Sequence, residues 1–297
     1  MGNEALNLNP PNADYHLTTN GSDWLWTAFS IFGLSLLVMV VLDFMRPRGT
    51  RLFHQLAIII LATLSISYFS MASDLGATPI EAEFRGFGTR QIWYVRYIQW
   101  FITYPLLLLE LLLATGLSLS DIVTTLFMSI VFVVSLLVGA LVHSDYKWGY
   151  YVFAVVALFY IWLVTESSSH IPGLPSHSSD LNRYVLLWYA PHATFAESNV
   201  LRSTYLAGAS YFSFVLLTYP IAWACAEGGN VISVTSEMIW YGILDIFLGP
   251  VFLFFFLWKL REVEYSAFGF RSGKYTDQGG IAEKGAAPTA PVPEATQ

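Results

Sequence analysis

Arg96, Gln99, Thr103 and Glu110 recur at spacings of 3, 4 and 7 residues. That spacing puts all four on one face of a helix. They lie in an apolar stretch, with Trp100 and Pro105 beside the stripe. A second acid, Asp245, interrupts another apolar run, Trp240 to Trp258, and Tyr68, Tyr219, Pro220 and Trp223 sit in two more. Glu227 and Glu237 stand towards the ends of such runs. Inside hydrocarbon, groups of these types can relay protons or neutralise one another as buried pairs. An unpaired charge there costs several kcal/mol, so Arg96 and Asp245 are expected to interact, directly or through water. Glu110 has no basic partner in view and is expected to be protonated if buried. The plainer alternative is that intramembrane polar side chains only glue helices together, and for Thr103 or Tyr68 taken singly that reading is preferred.

The elements that must position these groups are membrane spans. The chain is 55% hydrophobic and only 12% charged, about half the charge of an ordinary soluble domain. Seven runs approach the roughly 20 apolar residues that cross hydrocarbon: about 24–44, 53–72, 92–114, 120–142, 148–165, 201–226 and 234–260. The expected fold is therefore an all-α membrane protein, a seven-transmembrane-helix bundle. Residues 73–91 form a polar connection in which 84–90 suggest a short hairpin. The stretch 166–199 is a long loop, and long ordered loops are often functional, so partner contacts are expected there. Residues 261–297, rich in Gly, Ala, Pro and charge, read as a disordered tail.

Arg46, Arg48, Arg51, Arg183, Arg202, Lys259 and Arg261 fall on one side of this scheme. By the basic-residue rule that side is cytoplasmic, with the C-terminus, while residues 1–23 are extracellular. That N-terminal segment lacks a basic and apolar leader pattern, so the first span is expected to direct insertion. Asn20-Gly21-Ser22 is then a possible glycosylation acceptor on the correct side.

Several function classes are excluded or weakened. A net charge of -7 does not suit a nucleic-acid partner. Cys225 stands alone, so no internal disulfide is possible. His170, His177 and His192 share a loop without metal-site spacing, and no metal is expected. His54, His143 and Lys147 lie at span ends, where solvated roles are expected. No phosphate-binding loop, triad or zinc motif is present, and the chain does not read as an enzyme.

The stretch Arg96-Tyr97-Ile98-Gln99-Trp100-Phe101-Ile102-Thr103-Tyr104-Pro105-Leu106-Leu107-Leu108-Leu109-Glu110 resembles the third-helix signature of microbial (type I) rhodopsins. Tyr219-Pro220-Ile221-Ala222-Trp223 with Glu227-Gly228-Gly229 resembles their sixth helix, and Leu244-Asp245 the start of the seventh-helix retinal motif. Leu137-Val138-Gly139-Ala140-Leu141 fits the fourth helix, and Ser67-Tyr68-Phe69-Ser70-Met71 the second. The resemblance spans roughly 24–260 and implies a seven-helix bundle with its N-terminus outside. It also implies a retinal Schiff base to a lysine one turn after the aspartate, but that position is Gly249. The four lysines, Lys147, Lys259, Lys274 and Lys284, are at span ends or in the tail. An imine needs a primary amine, so no covalent retinal is expected and Tyr68, Trp100, Thr103, Tyr219, Trp223, Asp245 and Gly249 would line a vestigial pocket.

The proton-acceptor position of the pumps is Gln99, an amide that cannot take up the proton, while the donor carboxylate is kept as Glu110. With the Schiff base and one aspartate gone, Arg96 and Asp245 would leave the core neutral. The combination resembles fungal opsin-related proteins, including the 30 kDa heat-shock membrane protein. That implies a plasma-membrane protein of the stress response, restraining the proton-pumping ATPase or helping membrane proteins, embedded in the lipid bilayer and open to homo-oligomer formation. Two other functions stay open. A passive proton or ion pathway would run through Arg96, Gln99, Thr103, Glu110, Glu237 and Asp245. A receptor-like role would place a non-covalent apolar ligand in space left among Trp100, Tyr219 and Trp223.

Overall fold

The computed structural model describes residues 4–82, 88–114, 119–162 and 199–261, without the side chains of 48 and 199–206. A short helix, α1 (Glu4–Leu8), precedes α2 (Thr19–Met45), α3 (Leu52–Ala72), the strands β1 (Thr78–Glu81) and β2 (Thr89–Ile92), α4 (Tyr94–Leu113), α5 (Leu119–Leu141) and α6 (Lys147–Trp162). Then come α7 (Asn199–Trp223), which runs into a π-helical turn Ala224–Gly228, and α8 (Val234–Leu260), with a π-helical turn Phe247–Val251 inside it. Residues 163–198 and 262–297 lie outside the described residues, and with them nearly all of the expected loop 166–199, His170, His177 and His192, and the expected tail.

Each helix from α2 to α7 packs on the next, and α8 packs against both α7 and α2. The seven long helices thus close into a ring. Among them, α2, α3, α5, α7 with its π turn, and α8 are long and apolar enough to cross a membrane. Helix α4 carries the polar stripe, and α6 is shorter over its described residues.

Local chemistry sets the ends. Thr18 caps α2, its hydroxyl accepting from Gly21 N–H, and Ser233 caps α8 by accepting from Ser236 N–H. Such caps satisfy donors that the first turn leaves free. Pro47 follows the end of α2, where it cannot continue the helix. Asp74 and Asn230 take left-handed φ of 57° and 51° just after α3 and α7, a conformation these two residue types tolerate. Pro250, without an N–H, lies in the π turn of α8.

Strand β1 pairs antiparallel with β2, Thr78 opposite Ile92 and Glu81 opposite Thr89; the pairing involves 78–81 and 89–92, wider than the expected 84–90, of which 84–87 lie outside the described residues. Because Ile92 belongs to β2, the third span becomes helical only at Tyr94. The N-terminal segment joins β2 by an isolated bridge, Tyr15 pairing in parallel with Arg90. Its Leu17 is fully buried.

Three sequence expectations change here. His54 and Lys147 are buried, not solvated, and Lys147 keeps a partner, as a buried ammonium must; His143 is exposed. Asn20-Gly21-Ser22 lies in the first turn of α2, and the buried Ser22 hydroxyl donates to Ala72 O at 2.7 Å. A helical triplet with a committed hydroxyl does not present the open loop a glycosylation acceptor needs.

Candidate functional site

Two polar clusters occupy the bundle interior. The first is built on Asp245, which α8 carries two residues before its π turn. Tyr68 of α3 and Gln99 of α4 donate to Asp245 Oδ2 at 2.7 and 3.1 Å. Tyr219 of α7 and Trp100 of α4 donate to Oδ1 at 2.6 and 3.3 Å. Four donors from three helices therefore converge on one carboxylate, two to each oxygen. A carboxylate has about four lone-pair sites and no donor, so this cage suits the ionised group and fixes its position.

The second cluster is built on Arg96, which is fully buried. Its Nη2 donates to Glu227 Oε1 and to Glu237 Oε1, both at 2.5 Å, so one nitrogen serves two acids. Nη1 points at Met238 Sδ, 3.0 Å away. Glu227 also accepts from Tyr97 and Tyr241 at 2.8 and 3.2 Å. Glu237 Oε2 accepts from Arg90 Nη2 at 2.6 Å, and Arg90 Nη1 donates to Ile232 O. The order is Arg90, Glu237, Arg96, Glu227: two cations alternating with two anions. Alternation lets each charge sit against its opposite in a place where an unpaired ion is costly.

Arg96 does not bond to Asp245, contrary to the expected pairing. Trp100 lies against both: its indole N–H reaches Asp245, and the Arg96 guanidinium sits 5.4 Å from its ring centroid. Tyr241 covers Arg96 as well, at 4.2 Å. The four-residue chain is thus neutral in itself, Arg90 and Arg96 against Glu227 and Glu237, and the charge of Asp245 is held apart from it by dipoles. Sequence reasoning missed three members of this cluster, Arg90, Tyr97 and Tyr241, and Arg90 because it stands in a polar connection. A count of core acids against core cations was the available signal: Glu227, Glu237 and Asp245 outnumber Arg96.

Other expected site residues are dispersed. Thr103 is buried without joining either cluster. Glu110 is fully buried and neither carboxyl oxygen has a hydrogen-bond partner. It lies eleven residues after Gln99, about 16 Å along the helix axis. The rings of Trp100, Tyr104 and Phe132 stack beside this interval, with centroids 5.7 and 6.1 Å apart. Trp223 turns to α5 and α6, donating to Leu136 O at 3.1 Å and stacking on Tyr151.

A side chain at Gly249 would require the flexible end of Leu64 to shift. A Cβ there would stand 2.7 Å from Leu64 Cδ1 and 3.7 Å from Phe32 Cε1. Trp100, Tyr219 and Tyr241 pack ring to ring with centroids 5.0–6.0 Å apart. A larger cavity, about 520 Å³, lies between α7 and α8 and is lined by Phe214, Thr218, Ile239, Ile243 and Phe247. Most of these side chains are exposed on the outer face of the bundle, not around Asp245.

Residues 19–262 match the family profile of bacteriorhodopsin-like proteins. This chain belongs to that family. The bacteriorhodopsin-like chain is 67% identical to Protein FDD123 of Trametes versicolor, over 100% of its own length and 97% of the relative's. It is 37% identical to the 30 kDa heat shock protein of Saccharomyces cerevisiae, over 82% of this chain and 74% of that one. Among solved structures it resembles a light-driven proton pump from Leptosphaeria maculans, with a TM-score of 0.69 and 28% identity, over 82% of this chain and 96% of that one. It is therefore a multi-pass, opsin-related membrane protein with the seven-helix rhodopsin fold.

Proposed function

We propose that this bacteriorhodopsin-like protein is not photoactive and acts in the plasma membrane by contact with other membrane proteins during stress. The observation that carries the reading is Gly249. It offers no amine for an imine, and Leu64 already occupies the space into which a side chain would leave the helix. The aromatic packing around Asp245 supports a core that is stable in its own right. The partner the resemblance suggests is the proton-pumping ATPase, and kinship with a 30 kDa heat shock protein supports the stress assignment.

Retinal addition tests the first half. The wild-type protein should give no visible band that borohydride fixes to the chain. A Gly249→Lys, Leu64→Ala variant, with the amine restored and room made for it, is the positive comparison. A retinal adduct on the wild-type chain would refute the proposal. Crosslinking in heat-stressed membranes tests the second half: enrichment of the ATPase beside this protein is expected, and its absence sinks that partner.

A further inference from the structure

At the end of the bundle where α2 and α8 begin, residues 14–18 cross over the hairpin and roof a cavity of about 220 Å³. Asp14, Tyr15 and Thr18 line it from the roof, and Arg90, Ile232 and Val234 from the bundle. Arg90 is 4% exposed, and its Nε–H has no hydrogen-bond partner although both terminal nitrogens are engaged. Buried donors are rarely left without an acceptor. The space admits several waters at about 30 Å³ each, and it is edged by polar groups that can hold them.

We propose that this cavity is a water-binding site anchored on Arg90 Nε, and that the 14–18 segment is its cover, controlling hydration of the buried ion chain. Through Arg90 the site touches Glu237, and through Glu237 it touches Arg96. The cover is held mainly by bonds at the protein surface. Asp14 Oδ2 accepts from Thr89 N–H and Oγ1–H at 2.7 and 3.0 Å. Tyr15 N–H donates to Thr89 O, and Gln91 N–H donates to Tyr15 O. Thr18 N–H donates to Thr235 Oγ1 at 3.1 Å. Its apolar anchors are two, the buried Leu17, whose N–H donates to Gln91 Oε1 at 2.9 Å, and the partly buried Tyr15. Segments tied by exposed hydrogen bonds and few apolar contacts open at lower free energy than the core. The cover can therefore lift while α4 and α8 stay folded.

The test uses the full chain in lipid nanodiscs, with Cys225→Ser and Val234→Cys. Val234 is 2% exposed and lines the cavity. A charged, water-soluble methanethiosulfonate should modify this thiol slowly. Adding Asp14→Ala or, separately, Thr235→Val should speed modification about tenfold or more, as expected where local opening limits access. Amide exchange in α4 should be unchanged, which separates a lifted cover from general unfolding. Equal rates with and without the anchors, fast or slow, overturn the cover. Radiolytic footprinting in heavy-oxygen water tests the site itself: Val234 in the wild type should take up label despite its burial. An unlabelled Val234 means a dry cavity and overturns the water site.

Discussion

The ion chain predicts an order of damage among its acids. Glu237 is fully buried and each oxygen serves a different arginine, Oε1 with Arg96 and Oε2 with Arg90. Glu237→Gln leaves Arg90 without a carboxylate, its remaining bond going to Ile232 O, and turns an amide NH2 towards a guanidinium. Breaking a buried pair by removing one partner costs about 3–5 kcal/mol. Glu227→Gln removes the same formal charge with a different outcome. Both arginines keep Glu237, the amide oxygen can still accept from Arg96, and Tyr241 can rotate its hydroxyl to accept from the new NH2. That change should cost about 1–2 kcal/mol, the range of one altered buried hydrogen bond. The double variant should not be additive, because both acids share one nitrogen of Arg96. Equilibrium unfolding in mixed micelles, followed by tryptophan emission, measures all three. If Glu237→Gln were as mild as Glu227→Gln, the alternating chain would not be what neutralises the two arginines.

Three further outcomes follow from contacts elsewhere. Tyr219→Phe removes one of four donors to Asp245 and should lower stability by about 1.5–3 kcal/mol, the worth of a hydrogen bond to a charged group; an unchanged unfolding midpoint refutes an ionised, caged Asp245. Gly242→Ala would place a Cβ 2.6 Å from Trp24 Nε1 and should destabilise by about 1–3 kcal/mol through overpacking against a rigid ring, whereas Gly33→Ala meets open space and should leave the midpoint nearly unmoved. Asp14, outside the membrane, is held below its ordinary value of 3.8 by hydrogen bonds from Thr89. Its contribution to the cover is therefore present above that value and lost as pH falls through the lower, folded one. Amide exchange at residues 15–18 should accelerate in that acid range, and Asp14→Asn should abolish the pH response.

The bundle was legible because hydrocarbon thickness imposes one length on every span: helices occupy all seven apolar runs, and the stripe of α4 faces inward as its spacing requires. Arg96, Gln99, Tyr68, Tyr219 and Asp245 were legible as interior groups for the same reason. Which of them touch was not. Helical periodicity fixes a face but not the height at which a partner on another helix meets it. Glu237, Tyr241 and Asp245 follow one another at intervals of four on α8, and Arg96 meets the first of these levels, not the last. Arg90 was hidden for a different reason. It reaches the interior from a strand, and the short hairpin carries no periodic signal strong enough to separate an inward arginine from a solvated one.

The level at which Arg96 pairs bears on what kind of core this is. If Arg96 answered Asp245, the chain would carry a pump's centre with parts removed, and each removal would need its own compensation. Instead Arg96 is engaged by two glutamates nearer the end of the bundle, and a second arginine completes that set. Asp245 is satisfied without any cation, by four neutral donors. Each cluster can therefore persist without a positively charged ligand between them. A bundle so arranged keeps the charges of both clusters answered with no chromophore between them.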